Sequence, residues 1–507
     1  MVLNPGASCE NGCGLRRRIE SGVHTVNTSR AARGTPRVSH NGCMTSRVVI
    51  VGGGPGGYEA AIVARKAGAE VTLIERQGLG GNAVLTDVVP SKTIIATAEW
   101  LTIAGRAPEL GIADSEGTAD RLRARVDMAA VNERIRKLVL KQSHDIALRM
   151  AKNDIRVVSG EGTLVAPGRV ATADDEFEGD AVLLALGASP RVLPGSEPDG
   201  ERILTWTQLY DLTALPEHLV VVGSGVTGAE FAGAYNLLGS KVTLVSSGDR
   251  VLANQDPEAS ALITETFARR GMHVVGGARA ERVVNTGDGV AVFLADGRVI
   301  EGSHCLMAVG SVPNTAGVGL ADAGVELDAR GFITVDKVSR TTARGVYAAG
   351  DCTGVFLLAS VAATQGRIAM AHALGDAVSP IDLRTVSSNV FTAPEIASVG
   401  ATEEQLKARG IFYQVSRLDL ARNPRAKMLG IDEGFVKIFG HTVTGQVLGA
   451  VIVGSRASEH IFPLSLAVSH HLTVDDVAAT FTVYPSLSGT VAEAARRLHN
   501  MTDPTKH

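Results

Sequence analysis

The chain has 507 residues, 45% of them apolar and 20% charged, with a formal net charge of −4. That length exceeds one ordinary domain and predicts two to four compact units of a soluble globular protein. The charge gives no basic field for nucleic acid, no stretch of roughly 18 apolar residues predicts a membrane span, and five cysteines are too scattered for a disulfide framework.

The first 46 residues are rich in Arg, Ser, Thr, Asn and Gly, with acids only at Glu10 and Glu20 and no sustained helical apolar pattern. An organelle transit peptide would carry an amphipathic helix there. Residues 1–43 instead read as a disordered leader, with the functional chain opening at Met44. Next, RVVIVGGGPGGYEAAIVARKAGAEVTLIER (residues 47–76) reads strand, glycine turn, helix, strand. Val48 to Val51 is a buried β-branched run, Tyr58 to Ala67 is helical, and Val71 to Ile74 is a second strand ending on Glu75. Gly52, Gly54 and Gly57 hold the G-x-G-x-x-G spacing. The first glycine permits the turn, the second lets a pyrophosphate approach the backbone, and the third lets helix and strand pack. The helix N-terminus then faces phosphate, and Glu75 is placed to accept hydrogen bonds from a ribose.

GLGGNAVLTDVVPSKTII (residues 78–95) follows: a glycine turn, an apolar run, then a helix opened by Pro90, Ser91 and Lys92. Just downstream of a nucleotide motif a redox enzyme would keep its chemistry, yet Ala83, Val84, Leu85, Val88 and Val89 offer no nucleophile, acid or electron carrier. Residues 100–155 read as mostly helical, and EGDAVLLALGASPRVLPG (178–195) as a strand ending in a small-residue turn that crosses between domains. The glycine pattern then recurs: Val220 to Val222, then Gly223, Gly225 and Gly228, a helix, and the strand Val242 to Val245. Here the acid's place falls on Ser246, so a 2′-phosphate meets no repulsion, and Arg250 nearby can attract it. NADPH is therefore permitted and a strict NADH preference is not supported.

HCLMAVGSVPNT (304–315) is another strand and turn, and TTARGVYAAGDC (341–352) is a strand ending at Gly350 and Asp351, whose carboxylate can meet a polyol chain. Toward the C-terminus, GFVKIFG and GQVLGAVIVG read as paired strands around a turn near Thr444 and Gly445. RASEHIFPLSLAVSHHL and LSGTVAEAARRLH read as helices with apolar stripes. His470 and His471 end the first of these; with no acid or cysteine pattern around them they read as solvated or capping, and no metal site is expected. Cys305 and Cys352 stand alone in the body and read as buried, inert thiols of a protein in a reducing cytoplasm.

In their order, these pieces resemble the pyridine nucleotide-disulfide oxidoreductases, the two-dinucleotide flavoproteins that include dihydrolipoyl dehydrogenase, glutathione reductase and mercuric reductase. The resemblance runs from about Arg47 to the C-terminus: two glycine motifs, PSK at 90–92, ALGASPR at 185–191, VGSVPNT at 309–315, GVYAAGD at 345–351, FTAPEIASVG at 391–400 and VYPSLSG at 483–489. It implies an α/β fold with two Rossmann-like dinucleotide-binding domains and a C-terminal α+β dimerisation domain. The implied boundaries are an FAD-binding domain at 44–190, an NAD(P)H-binding domain at 191–310, a second part of the FAD-binding (central) domain at 311–383 and an interface domain at 384–507. FAD is the implied cofactor, NAD(P)H the co-substrate, and a homodimer the assembly. Carried over residue by residue, FAD contacts fall on Gly52, Gly54, Gly57, Glu75, Gly81, Lys92, Gly162, Gly187, Gly350, Asp351 and Ala359. Those of NAD(P)H fall on Gly223, Gly225, Val226, Gly228, Glu230, Ser246, Arg250 and Gly310, with Lys92 near the flavin's reactive edge and paired with Glu230.

The chain departs from the disulfide reductases in two places. They carry two cysteines five positions apart before PSK, where this chain has Ala83 and Val88; they pair a histidine and a glutamate near the C-terminus, where it has Tyr484 and Gly489. Thiol–disulfide exchange needs a thiolate and a proton manager, and methyl and isopropyl groups supply neither. The expected enzyme is therefore an NAD(P)H:quinone (acceptor) oxidoreductase, closest to dihydrolipoyl dehydrogenase-like members that lack the redox disulfide. Hydride passes from NAD(P)H to FAD, and a flat, poorly charged acceptor is then reduced directly against the apolar wall. Lys92, Glu230 and Tyr484 are the catalytic candidates: Lys92 stabilises negative charge on reduced flavin, Glu230 orients it, and Tyr484, supplied by the partner subunit, donates a proton or lines the pocket. Three other readings stay open: a soluble NAD(P) transhydrogenase, a degenerate dihydrolipoyl dehydrogenase using Cys352, and a non-catalytic FAD-binding dimer.

Overall fold

The β-branched runs become the central strands of two parallel sheets. A computed structural model of the chain describes residues 45–112 and 125–499; the expected leader and Met44 lie outside these. β1 (Arg47–Val51), α1 (Pro55–Lys66) and β2 (Glu70–Glu75) make the first unit. α1 begins three residues before Tyr58, because Pro55 in the first turn has no N–H to satisfy. α2 (Gly81–Leu85) and α3 (Val88–Gly105) follow, then α4 (Met128–Lys152) and β3 (Arg156–Ser159). The apolar run after the glycine turn is thus itself helical, and α3 opens at Val88 rather than at Pro90. A proline is tolerated there since the amides of a first turn have no intrahelical partner.

A small antiparallel meander, β4 (Thr163–Ala166), β5 (Arg169–Ala171) and β6 (Glu176–Glu178), leads to β7 (Ala181–Leu184) and β8 (Ala188–Pro190). The second unit contains β9 (Ile203–Leu204), β10 (His218–Val222), α5 (Val226–Leu238), β11 (Lys241–Val245), α6 (Pro257–Arg269) and β12 (His273–Val275). Another meander, β13 (Ala280–Asn285), β14 (Val290–Leu294) and β15 (Val299–Gly302), precedes β16 (His304–Met307) and β17 (Ser311–Pro313). β18 (Val346–Ala348) and α7 (Ala359–Ala373) complete this part. The C-terminal part holds β19 (Ser388–Val390), β20 (Glu395–Gly400), α8 (Glu403–Ala408), β21 (Tyr413–Asp419), α9 (Pro424–Met428), β22 (Phe435–His441) and β23 (Val447–Gly454). Four short helices end it: α10 (Ala457–His460), α11 (Phe462–Ser469), α12 (Val474–Ala479) and α13 (Gly489–Arg496).

The first sheet runs β18-β7-β1-β2-β3 and the second β12-β11-β10-β16-β9, all parallel; the C-terminal sheet is antiparallel, β19-β20-β23-β22-β21. β1 lies between β2 and β7, with Val48 opposite both Val71 and Ala181, and β10 lies likewise between β11 and β16. At these two positions the strand order reverses, which opens the crevice where α/β sheets bind ligands. Alternate residues of each central strand enter different cores: Val48 and Ile50 pack under α1, while Val49 and Val51 pack with Leu164 and Leu320. Both faces are therefore buried, which is why these strands read as unbroken apolar runs. β8 and β17, the two crossing segments, pair antiparallel with Ser189 opposite Val312. Among the described residues no helix is long and apolar enough to cross a membrane.

Candidate active site

At the end of β1 the chain turns at Gly52, whose φ of +102° suits glycine and whose N–H donates to Ile74 O at 2.8 Å. A Cβ there would lie 2.1 Å from Ala185 O, and one on Gly57 would lie 1.8 Å from Gly52 O, so neither position admits a side chain. A Cβ on Gly54 would meet only the Gly81 Cα, at 3.9 Å, so the backbone there is open to a ligand. Between these backbones opens a cavity of about 640 Å³, large enough for an extended cofactor. Gly52, Gly54, Glu75, Gly81, Gly162, Gly187, Gly350, Asp351 and Ala359 all line it, so nine of the eleven expected FAD positions converge there. Gly57 serves the turn behind it, and Lys92 stands beyond the lining. The N-termini of α1 and α7 bring Pro55, Gly56, Ala359 and Ala362 to the wall, and helix N-termini favour phosphate.

Polar groups along the cavity are preset. The Gly53 N–H donates to Glu75 Oε2 at 2.6 Å and the Gln77 N–H to Oε1 at 2.7 Å, which fixes the carboxylate at the cavity wall, where it could accept from a ribose diol. Burial pushes the Asp351 carboxyl up to about 6, with the charge of Asp87 adding to the effect. Hydroxyl donors from a polyol chain would relieve that cost, so the residues present fit a flavin dinucleotide. Two asparagines absent from the sequence expectations fasten the crossing turns. Asn82 Nδ2 donates to Ala188 O at 2.6 Å, and Asn314 Nδ2 donates to Leu186 O at 2.9 Å while its Oδ1 accepts from Ser189 Oγ at 2.7 Å.

On one side the cavity wall is Ala83, from α2, and Val88, the first residue of α3. One turn further along α3, Lys92 Nζ donates to Glu230 Oε2 at 2.6 Å. Glu230, on α5, is 3% exposed, and its other oxygen accepts the Phe391 N–H at 2.8 Å; the ammonium also lies 5.0 Å from the centre of the Phe391 ring. The pair thus joins the first unit, the second unit and the C-terminal part. Asp87, directly before Val88, lines the cavity as well and is not among the residues the sequence singled out.

The second glycine turn copies the first. The Gly223 N–H donates to Val245 O at 2.9 Å, and Cβ atoms on Gly223 and Gly228 would lie 2.2 Å from Ala308 O and 1.8 Å from Gly223 O. Gly225 and Gly310 meet nothing within 4 Å, and Val226 at the start of α5 is exposed, so this turn faces open space. Ser246 departs from expectation: it is 1% exposed, its hydroxyl donates to Gly248 O at 2.8 Å and lies 2.7 Å from Ser224 Oγ. It shapes the turn, and the exposed Arg250 is the group a ligand would meet. Tyr484 is 82% exposed and lies outside the cavity lining, so a single chain does not bring it to Lys92 and Glu230. Cys305 and Cys352 are both fully buried; burial pushes the Cys352 thiol up to about 12 and that of Cys305 still higher. A thiol held so high is no nucleophile near neutrality, which weighs against lipoamide chemistry through Cys352. Among the described residues no group of acids, histidines and cysteines is placed to hold a metal ion, and His470 and His471 are exposed.

Residues 46–366 match the family model of the pyridine nucleotide-disulphide oxidoreductases, and residues 386–495 match that family's dimerisation domain. The chain belongs to this family. It is a flavoprotein oxidoreductase with FAD as cofactor and NAD(P)H as co-substrate. A Mycobacterium tuberculosis protein named NAD(P)H dehydrogenase (quinone) is 51% identical over 469 residues, covering 90% of this chain and 94% of its own length. The dihydrolipoyl dehydrogenase of Chlorobaculum parvum is 37% identical, covering 88% of this chain and 96% of its own. The crystal structure of LpdA from Mycobacterium tuberculosis superposes with a TM-score of 0.85 at 50% identity, covering 90% of this chain and 100% of that one.

Proposed function

We propose that this flavoprotein passes electrons from NAD(P)H through FAD straight to a quinone-type acceptor, without a redox disulfide. The cavity wall carries this reading: Ala83 and Val88 stand where a relay would need thiols, and both described cysteines are fully buried. The 51% identical relative bears the quinone in its name. When bound, FAD supplies a two-electron relay between a nicotinamide and a second acceptor. The chain's own residues bind and orient. Amides at the start of α1 and α7 hold phosphate, Glu75 the ribose and Asp351 the polyol. Lys92, held by Glu230, sets a positive charge near the cavity that stabilises negative charge developing there. The hydrocarbon wall excludes water and accepts a flat, uncharged ring.

The open turn around Gly223, Gly225 and Gly228 suits a nucleotide that comes and goes, with Arg250 available to a 2′-phosphate. The exposed Tyr484 lies within the matched dimerisation domain, which supports a homodimer in which it reaches the partner's cavity. Two unpaired body thiols fit a reducing, cytoplasmic setting. Anaerobic stopped-flow tests the reading. NADH or NADPH should bleach the flavin and a soluble quinone should restore it, with ping-pong steady-state kinetics. Quinones that restore it no faster than dissolved oxygen would remove the acceptor assignment, and efficient hydride exchange between NADPH and an NAD analogue would replace it with transhydrogenation.

A further inference from the structure

Reducing a quinone to its hydroquinone takes two electrons and two protons. The hydride equivalent from NAD(P)H brings both electrons and one proton, so the second proton comes from solution and needs a carrier beside the acceptor. Five titratable side chains line the cavity: Glu75, Arg76, Asp87, Glu161 and Asp351. Glu75 is tied to backbone amides, Arg76 and Glu161 pair at 2.8 Å, and Asp351, three residues past β18, is assigned above to the polyol chain.

Asp87 is placed differently. It directly precedes Val88, so a carboxyl sits beside the hydrocarbon wall and one turn before Lys92. It holds the N-cap position of α3, where an aspartate ordinarily accepts a hydrogen bond from the first helical amides. Here the side chain makes no capping bond and accepts no hydrogen bond from any described residue. A chain that needed only a helix cap would have used it. We propose that Asp87 carries the proton for the acceptor: its carboxyl gives it to the acceptor oxygen left negative once the hydride equivalent has arrived, and regains one from solvent.

This rests on the quinone reading above. The surroundings agree with it. Burial raises the Asp87 carboxyl above the usual carboxylate range; Lys92 on α3 acts against this and Glu230 on α5 adds to it. Asp351 is itself raised by burial and by Asp87. Tyr210, in the turn before β10, has a buried phenol raised by burial, then by Asp87, Tyr235 and Glu230, and neither tyrosine hydroxyl has a hydrogen-bond partner. Burial is thus the main cause of the raised Asp87 carboxyl, and of the two charges that act on it Lys92 opposes the shift and Glu230 supports it.

The test uses the FAD-loaded wild type, Asp87→Asn and Asp87→Glu. Each is reduced anaerobically with NADH, then mixed with menadione or with ferricyanide, which takes electrons without protons. In D87N the menadione step should slow about 100-fold relative to the ferricyanide step. The wild-type menadione rate should fall as pH rises through the raised pKa of Asp87, D87N should lose that dependence, and D87E should restore it at a shifted pH. Apart from turnover, the visible spectrum of bound oxidised FAD should show a pH inflection in the wild type that D87N lacks. An unchanged menadione-to-ferricyanide ratio with the inflection retained in D87N overturns the role of Asp87 alone. Menadione that fails to reoxidise even the wild type overturns the acceptor reading, and this role with it.

Discussion

At Gly57 and at Gly228 a Cβ would sit 1.8 Å from the carbonyl oxygen of the glycine that opens the turn, Gly52 in one unit and Gly223 in the other. Beyond that shared backbone the two units part. Gly54 faces Gly81, which roofs the first turn, whereas Gly225 meets nothing. Glu75 ends the first unit's second strand with a carboxylate pinned by amides; Ser246 ends the other with a buried hydroxyl. The turn sets what kind of ligand fits, and its neighbours set whether the ligand stays. On the proposed function, the first unit is the site of the retained cofactor and the second that of the exchanging nucleotide.

Four sets of substitutions break or sharpen that contrast. The largest effect is expected of Gly57→Ala, which forces a methyl into a carbonyl and should cost about 3 kcal/mol and the bound flavin's absorbance. Gly228→Ala should instead keep the yellow colour and lose bleaching by NAD(P)H; loss of FAD from both would show that the units are not separable. Lys92→Met leaves the buried Glu230 unpaired and should cost about 2–3 kcal/mol in urea denaturation, with Glu230→Gln milder since it keeps the Phe391 N–H acceptor.

Asp351 comes third. Its folded carboxyl, raised to about 6, lies above the unfolded value, so its contribution is fully present below about pH 4 and is lost as pH rises through about 6. The FAD-free wild type should therefore lose roughly 2 kcal/mol relative to Asp351→Asn between those limits, measured by urea denaturation at each pH. Smallest is Ser246→Glu, which makes the second unit resemble the first; the ratio of kcat/KM for NADPH over NADH should fall about tenfold, or about 1.4 kcal/mol.

What was legible in the sequence follows the range of the forces involved. The two glycine turns were readable because the need for glycine is local, set by φ at Gly52 and Gly223 and by one close carbonyl. The start of α3 was misplaced by two residues because Pro90 signals a helix opening as strongly as Asp87 and Val88 do. Pairing of Lys92 with Glu230, 138 residues away, came only through the family resemblance. Asp87 was hidden for a physical reason. An aspartate before an apolar run looks like a cap, and only the packed structure reveals that the bond is not made. Its signal was present all the same: it is the single acid in the stretch 78–95. Ser246 shows the converse, an absent acid correctly noted while the burial of the replacement was invisible.

Counting electrons tests the thiol-free relay most directly. The purified holoenzyme is titrated anaerobically with dithionite while flavin absorbance is followed. FAD alone stores two electrons, and a disulfide in exchange with it would store two more. Complete bleaching after two electrons per FAD is expected. Uptake of four would contradict a cavity wall of alanine and valine and restore sulfur to the mechanism.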